Sequence, residues 1–249
     1  MRIKCIGSGS SGNSFFLEIG GKRFLIDLGL NTKAIVNGLK EADVSLCDLD
    51  GVFITHTHSD HTSAVKVIKK RLSCPYYMSE LSYANLSLPG TVVITPGVPL
   101  SLSGGITVTA QSTSHDCPGS LCYRFDSGEG SFGFATDLGY VSEDIRSMLQ
   151  GVDYLVLECN HDLQMLKEGP YPYPLKRRIL SDAGHLSNIA CANAAAEFAK
   201  NGTKSIYLAH LSRENNTPQK AFETVAGEVD PQRTKLTVLN PFGNPAENL

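Results

Sequence analysis

The sequence contains the stretch Phe53-Ile54-Thr55-His56-Thr57-His58-Ser59-Asp60-His61, in which three imidazoles and one carboxylate fall within six positions. Because side chains alternate along an extended segment, His56 and His58 point to the same side. Asp60 and His61 follow where the chain is predicted to turn into a helix, so a strand end and a helix start can serve two neighbouring metal ions. The alternative is a surface turn of four hydrogen-bonded polar residues, and the density of ligand-type side chains favours the metal site.

Short runs of β-branched and aromatic residues, separated by Gly, Ser, Asp and Pro, make the first half of the chain strand-rich. The predicted strands cover residues 14–19, 23–27, 51–55, 91–94, 106–110 and 121–125. Apolar residues at nearly helical spacing predict one helix over residues 61–72, which ends before Pro75.

Strands alternate with helices in the second half of the chain. The predicted strands cover residues 131–136, 153–157 and 205–209, and the predicted helices cover residues 143–150 and 188–200. No linker or low-complexity segment separates the β-rich half from the α/β half. This order predicts an α/β (α+β) fold, in which two sheets pack face to face with helices outside, as a single domain over residues 1–249.

The composition is that of an ordinary globular protein, since 41% of the residues are hydrophobic and 19% are charged. No apolar run approaches the roughly 20 residues that span a bilayer, so we expect a cytoplasmic protein without a membrane partner. The seven cysteines are odd in number and form no Cys-x-x-Cys pair, which favours reduced thiols over disulfides or a zinc ribbon.

The net charge of −3 gives the chain no overall attraction to nucleic acid, so any attraction for phosphate must be local. Two basic runs are the candidates: Lys66, Lys69, Lys70 and Arg71 on the predicted helix, and Lys176, Arg177 and Arg178 in a predicted loop. Either run is also typical of a solvated face.

Further ligand-type side chains occur at the ends of predicted strands or in the loops that follow them, where open sites commonly form. They are His115, Asp137 and His210. Taken singly, each is more commonly a hydrogen-bonded cap or a core residue. Their order and spacing after the first histidine cluster are what indicate a site.

The motif His56-x-His58-x-Asp60-His61, followed by His115, Asp137 and His210, resembles that of the metallo-β-lactamase superfamily over nearly the whole chain. The resemblance implies a four-layer αββα sandwich. It also implies two metal sites: one held by His56, His58 and His115, the other by Asp60, His61 and His210, with Asp137 bridging them. Asp27 resembles the family's buried aspartate beneath the site, although a carboxylate that closes a strand is an alternative reading.

Imidazole and carboxylate ligands without a thiolate suit Zn²⁺, Mn²⁺ or Fe²⁺, so the sequence leaves the identity of the metals open. Two such ions activate water and hold the oxygens of a phosphate ester during in-line displacement. Asp60 can orient the attacking hydroxide as well as bind metal, so no separate general base is required.

Residues outside the ligand set favour the phosphodiesterase and nuclease branch of the superfamily. Thioesterase relatives carry a glycine where this chain has Ser114, and the turn over residues 116–124 is similar to that of the nucleases. Glu158 and His185 resemble the pair that transfer RNA 3′-processing nucleases use beside their metals. The resemblance implies that His185 is the general acid and Glu158 its partner. Alternatively, His185 is only a neighbour of the helix that begins at Asn188.

Two segments are candidate phosphate-binding elements. Lys176, Arg177 and Arg178 lie in sequence between Glu158 and His185, so we expect them near the mouth of the site. The Gly/Ser-rich run over residues 7–14 can present backbone N–H groups and polar side chains to a phosphate, and its candidate contacts are Ser11 and Asn13. Such runs are also common as flexible turns.

Within the nuclease branch, the segments 9–14, 158–162, 169–172, 184–188 and 209–212 resemble the small WalJ-like group of bacterial proteins. The resemblance implies a 5′ to 3′ DNA exonuclease. DNA is favoured over RNA because the short segment between Asp137 and Glu158 leaves no room for the substrate-clamping arm of the transfer RNA enzymes. A phosphodiesterase for small molecules or cyclic nucleotides is the alternative. A non-catalytic binding protein is disfavoured, because such proteins commonly lose ligands that this chain keeps.

Overall fold

The computed structural model describes residues 1–248, in which the chain forms two seven-stranded sheets with helices outside them. The first sheet contains β1 (Arg2–Gly7), β2 (Ser14–Ile19), β3 (Lys22–Ile26), β4 (Gly51–Phe53), β5 (Tyr76–Met78), β6 (Thr91–Val93) and β14 (Glu247–Asn248). The second contains β7 (Leu100–Leu102), β8 (Ile106–Ser112), β9 (Leu121–Ser127), β10 (Gly130–Ala135), β11 (Tyr154–Glu158), β12 (Ser205–Ala209) and β13 (Lys235–Val238).

The helices lie in two outer layers. Their bounds are α1 (Thr32–Lys40), α2 (Ser59–Thr62), α3 (Val65–Ile68), α4 (Glu80–Leu86), α5 (Glu143–Leu149), α6 (Leu163–Glu168), α7 (Tyr173–Ile179), α8 (Asn188–Lys200) and α9 (Pro218–Ala226). None of the helices within residues 1–248 combines the length and the apolar character that crossing a membrane requires.

The side-chain pattern of the strands explains the layers. In β11, Val156 faces the core between the sheets, whereas Leu155 and Leu157 face the helical layer of α5, α8 and α9. The sheets interdigitate through aromatic rings, and the Phe15 and Phe134 centroids lie 4.9 Å apart, edge to face. The four-layer αββα sandwich predicted from the sequence is thus confirmed. The single domain expected over 1–249 includes Leu249, which lies outside the described residues.

The topology brings the ends of several strands to one edge. The first sheet has the order β14-β1-β2-β3-β4-β5-β6, with β3 to β6 parallel. The second has the order β13-β12-β11-β10-β9-β8-β7, with β10 to β13 parallel. Because parallel strands end at the same edge, the loops that follow them lie close together, as in other α/β sites.

Two sequence-based expectations about the fold are wrong. The helix expected over 61–72 is broken into α2 and α3, because the N–H of Ala64 donates to the carbonyl of Leu28 at 2.9 Å instead of continuing a helical ladder. The basic run 176–178 belongs to α7 and not to a loop. Pro172 and Pro174, which flank the first residue of this helix, fit its start because their fixed φ suits a first helical turn.

Candidate metal centre

The site lies at the shared edge of the two sheets, in the loops that follow β3, β4, β8, β10, β11 and β12. Asp27, Asp137 and His210 each come just after one of these strands and have positive φ values of 63°, 58° and 57°. Residues other than glycine rarely adopt this conformation, and it costs free energy that the surrounding contacts must offset. The backbone is therefore held in strained turns that aim these side chains at the site.

Three imidazoles converge at one point. Nε2 of His56 lies 3.1 Å from Nδ1 of His58, which in turn lies 3.2 Å from Nε2 of His115. In a tetrahedral zinc site, each ligand nitrogen lies about 2.0–2.1 Å from the ion. The nitrogens then lie about 3 Å or slightly more from one another, which is close to the two distances found here. These three residues therefore fit one divalent cation, as the resemblance implied.

A second set of donors lies beside the first. Oδ2 of Asp60 is 3.5 Å from Nε2 of His61 and 3.7 Å from Nε2 of His210. Asp137 reaches both sets: its Oδ2 lies 3.3 Å from Nε2 of His61, and its Oδ1 lies 3.8 Å from Nε2 of His115. The structure thus brings together all seven residues expected as ligands.

Two buried atoms at this point have no hydrogen-bond partner within residues 1–248: Oδ2 of Asp137 and Nε2 of His210. An unpaired polar atom that is removed from water costs free energy, so such atoms are rare in native proteins. A metal cation coordinated by both atoms would remove this cost. The donor set and its orphaned atoms therefore fit divalent metal ions.

The ring nitrogen that faces away from the site is fixed in each of four histidines. The partners of these Nδ1 atoms are Asp27 Oδ2 for His61 (2.7 Å), Thr55 Oγ1 for His56 (3.0 Å), the Gly184 carbonyl for His115 (3.2 Å) and Glu158 Oε1 for His210 (2.8 Å). Such contacts set the tautomer and orientation of a metal-binding imidazole. Sequence reasoning proposed this role for Asp27 but missed Thr55, although Thr55 directly precedes His56.

Asp27 is fully buried beneath the ligands. Its carboxylate accepts hydrogen bonds from the backbone N–H and the hydroxyl of Thr55, both at 2.8 Å. Burial raises the pKa of Asp27, and the contacts with His61 and Thr55 oppose that rise. Burial alone would lower the pKa of His61, but the carboxylates of Asp137 and Asp27 raise it well above its usual range.

Close backbone packing holds the start of α2 in place. The N–H of Asn13 donates to the carbonyl of Asp60, and the N–H of Gly29 donates to the carbonyl of Asn13, both at 2.8 Å. A Cβ at Gly29 would overlap the Asp60 carbonyl, so only glycine permits this approach. The position of Asp60, an expected ligand, therefore depends on Gly29, which lies far from it in sequence.

Glu158 is the most completely bonded carboxylate of the site. Its Oε1 accepts from Nδ1 of His185 and from Nδ1 of His210, both at 2.8 Å. Its Oε2 accepts from the backbone N–H groups of Leu138 and Leu186, both at 3.1 Å. Burial alone would raise the pKa of Glu158, but the charge and hydrogen bonds of the two imidazoles lower it to about 2. The group is therefore a fixed anion.

An open cavity of about 380 Å³ lies over the ligands. His185 lines it and keeps 16% of its side chain exposed, with Nδ1 tied to Glu158. Arg178 also lines the cavity and forms a two-point ion pair with Asp116, in which Nη2 lies 3.0 Å from Oδ1. The hydrogen bond from Arg178 lowers the pKa of Asp116. Seven further residues line the cavity and were not identified as site residues from the sequence: Ser10, Ser59, Asn160, Tyr171, Leu175, Ile179 and Ser212.

The other residues expected to bind substrate do not line this cavity. Lys176 donates from Nζ to the carbonyls of Lys167 and Gly169, both at 2.7 Å, and Arg177 is exposed on α7. Ser11 is exposed, but its neighbour Ser10 is the residue that lines the cavity.

Asn13 is buried and does not line the cavity. Its Oδ1 accepts from the N–H of Gly9 at 2.8 Å, and its Nδ2 donates to the Gly9 carbonyl at 3.1 Å. Its Nδ2 also lies 3.4 Å from the Asp60 carbonyl. These contacts stabilise the Gly/Ser-rich turn and the ligand segment next to it.

The chain matches the family described as the beta-lactamase superfamily domain over residues 22–211. It is 38% identical over 237 residues to the exodeoxyribonuclease WalJ of Streptococcus pneumoniae. The aligned region covers 92% of this chain and 88% of that protein. It is 34% identical over 233 residues to the exodeoxyribonuclease YycJ of Bacillus anthracis, and this aligned region covers 91% of this chain and 88% of that protein. The solved structure of the metallo-β-lactamase fold protein YhfI from Bacillus subtilis has a TM-score of 0.76 at 17% identity, over 98% of both chains.

Proposed function

Because this chain belongs to the metallo-β-lactamase superfamily and to its WalJ-like group, we propose that it is a metal-dependent DNA exonuclease that removes nucleotides from the 5′ end. The observation that carries the proposal is the position of His185, held by Glu158 at the wall of the cavity over the ligands. The ligands alone serve many kinds of hydrolase on this fold. An imidazole beside them supplies the proton that a nucleotide leaving group needs.

We propose two divalent ions, Zn²⁺ or Mn²⁺, with Fe²⁺ as a third option. Their ligands are His56, His58 and His115 for one ion and Asp60, His61 and His210 for the other, with Asp137 between them. When bound, such ions activate water for attack and stabilise the negative charge that develops on phosphate oxygens. The mixed imidazole and carboxylate donors favour none of these metals over the others.

His185 and Glu158 handle the proton of the leaving group. Because Nδ1 of His185 donates to the fixed anion Glu158, Nε2 is the nitrogen left to the cavity. Nε2 gives its proton to the leaving 3′ oxygen as the P–O bond breaks, and the imidazole later regains a proton from solvent. Glu158 stabilises the protonated ring and orients it without changing its own charge.

Asp60 and Arg178 position the reacting groups. Asp60 lines the cavity, so its carboxylate accepts a hydrogen bond from the attacking water as well as serving as a ligand. Arg178 presents a guanidinium to the same cavity, and Asp116 holds that guanidinium through two contacts. A fixed guanidinium matches the geometry of phosphate oxygens. The proposed contact is between Arg178 and a phosphate of the substrate.

Digestion of DNA strands labelled at the 5′ or the 3′ end, with metal-stripped protein and each candidate metal added back, tests the proposal. We expect early release of a labelled mononucleotide from the 5′-labelled strand and gradual shortening of the 3′-labelled strand. A chelator should stop both. If no metal supports the shortening of any DNA strand, the proposal is wrong. The cytoplasmic location expected from the sequence is part of the same proposal.

Matched substrates separate the alternatives. An RNA strand of the same sequence, shortened faster than DNA, would make the enzyme a ribonuclease. A cyclic nucleotide opened while DNA stays intact would make it a small-molecule phosphodiesterase. Binding of DNA without turnover under every metal would indicate a non-catalytic binding protein. The Arg178→Ala variant should raise the KM for DNA, because a phosphate contact is lost while the ligands are kept.

A further inference from the structure

A second groove, of about 360 Å³, lies beside the cavity of the metal centre. Its walls include Leu163, Lys167, Tyr171, Tyr173, Arg177 and Leu180, and we call it the α6–α7 groove. Tyr171 lines both the groove and the catalytic cavity. The two concavities therefore adjoin at Tyr171, so a chain-like ligand in one lies next to the other.

The groove exposes an aromatic and apolar surface to solvent. Tyr173 is 72% exposed and Leu180 is 54% exposed, and Leu163 also contributes apolar surface. Large apolar side chains grouped in this way commonly mark a binding site. The flat face of an exposed tyrosine offers a stacking partner to any nucleobase, independent of sequence.

The charge of the groove is positive. Lys176, which also lines it, ties its ammonium to the carbonyls of Lys167 and Gly169 and so links α7 to the end of α6. The side chains of Lys167 and Arg177 add two further cations, and no acidic side chain of residues 1–248 lines the groove. A positive groove complements a polyanion and not an uncharged or basic partner.

The helix α7 carries cations to both concavities. Arg178 lines the catalytic cavity, and the preceding Arg177 lines the α6–α7 groove. Successive residues of one helix thus mark out a path for a phosphate backbone that runs from the metal centre across Tyr171 to Tyr173. Cations along a path with aromatic faces beside them are the features by which proteins bind single strands.

On the basis of the proposed function, we infer that the α6–α7 groove binds the single-stranded part of the DNA substrate beyond the nucleotide being removed. Its bases stack on Tyr173, and its phosphates lie beside Lys167 and Arg177. A base paired within a duplex has no free face for Tyr173. Single-stranded or frayed ends are therefore bound more tightly than blunt duplex ends.

The chain contains no tryptophan, so Tyr173→Trp introduces a single fluorescent reporter into the groove. The metal-loaded variant is titrated with a cleavage-resistant phosphorothioate oligodeoxythymidylate of about ten nucleotides, within the usual site size of single-strand binders. We expect saturable quenching of the emission by the single strand and weaker quenching by a duplex of equal length. The matched control is Tyr83→Trp, since Tyr83 is exposed on α4 and lines neither concavity.

Kinetics provide a second readout. Tyr173→Ala should raise the KM for single-stranded DNA by about 10-fold, which is the size of one lost stacking contact, while kcat for a nitrophenyl phosphodiester stays unchanged. Tyr173→Phe keeps the aromatic ring, so its KM for single-stranded DNA should stay close to that of the wild type. Arg177→Ala should reduce the salt dependence of binding by about one counterion.

The outcomes separate this inference from the proposed function. Shortening of DNA by the wild-type protein, with no quenching in Tyr173→Trp and an unchanged KM in Tyr173→Ala, would overturn the groove assignment and leave the nuclease standing. Emission that depends on protein concentration and not on DNA would assign the groove to a second copy of the chain. Failure of the wild-type protein to shorten DNA under any metal would overturn the proposed function itself.

Discussion

The buried Oε1 atom of Glu158 lies 2.8 Å from Nδ1 of His185. The same oxygen lies 2.8 Å from Nδ1 of His210, whose other ring nitrogen belongs to a ligand set. One carboxylate therefore supports both the proposed proton donor and a proposed metal ligand. Changes at Glu158 should affect metal affinity and turnover together.

Glu158→Gln tests this sharing. The amide removes the negative charge that stabilises both imidazoles, so we expect a roughly 10- to 100-fold loss of affinity for one of the two metals, together with lower turnover. Equilibrium dialysis against a competing chelator measures the affinity. Glu168→Gln is the control, since Glu168 is exposed and, within residues 1–248, its side chain bonds only to Gln164. Unchanged metal affinity in Glu158→Gln would limit the role of Glu158 to His185.

His185→Ala should lower turnover on DNA by roughly 10²–10⁴-fold and leave the metal content unchanged, because a proton donor acts on the leaving group and not in metal capture. A nitrophenolate departs without protonation, so a nitrophenyl diester should be cleaved nearly as fast as by the wild type. Rate measurements on both substrates, with elemental analysis of the variant, check this. A metal lost with His185 would make it a ligand, and an undiminished rate on DNA would make it a purely structural residue.

His58→Ala should abolish hydrolysis of DNA with little loss of folding. His58 leaves 34% of its side chain exposed, and its backbone carbonyl, which accepts hydrogen bonds from His61 and Thr62, is kept in alanine. We therefore expect the free energy of unfolding of the metal-free proteins to agree within about 0.5 kcal/mol. Denaturant titration measures this difference. Substantial hydrolysis by the variant would contradict the assignment of His58 as a ligand.

Metal binding should release protons. Burial alone would lower the pKa of His210 in the metal-free protein, but Asp137, Asp60 and Glu158 raise it to about 10, and the pKa of His61 is also raised well above its usual range. His210 is thus protonated near pH 8, and both imidazoles must be neutral to bind metal. Metal affinity should therefore rise as the pH increases from 7 toward 10. Calorimetry in two buffers of different protonation enthalpy counts the protons, and a count of zero would contradict this network.

Local patterns were sufficient to predict several elements with their bounds. The strand Ser14–Ile19 is a short apolar run rich in aromatic residues, and the helix Asn188–Lys200 begins after Ser187, whose hydroxyl accepts from the N–H of Ala190. The order of histidines and aspartates carried the resemblance to the metallo-β-lactamase superfamily, and that resemblance implied the ligand sets.

Contacts between distant segments could not be predicted in this way. The break after α2 depends on Leu28, and the sharing of Glu158 between His185 and His210 depends on how β11 and β12 pair. The helix α7 was mistaken for a loop because its prolines and charges resemble a linker. Its register, which sends Arg178 to the cavity and Arg177 to the neighbouring groove, is visible only in the folded chain.

Titration of the metal-stripped protein with one candidate metal, while DNA shortening is followed, tests the central claim most directly. Seven donors arranged as two sets around Asp137 predict that activity rises until two equivalents per chain are bound and then levels off. An undiminished rate in the stripped protein, or a full rate at a single bound equivalent, would contradict catalysis by a two-metal centre.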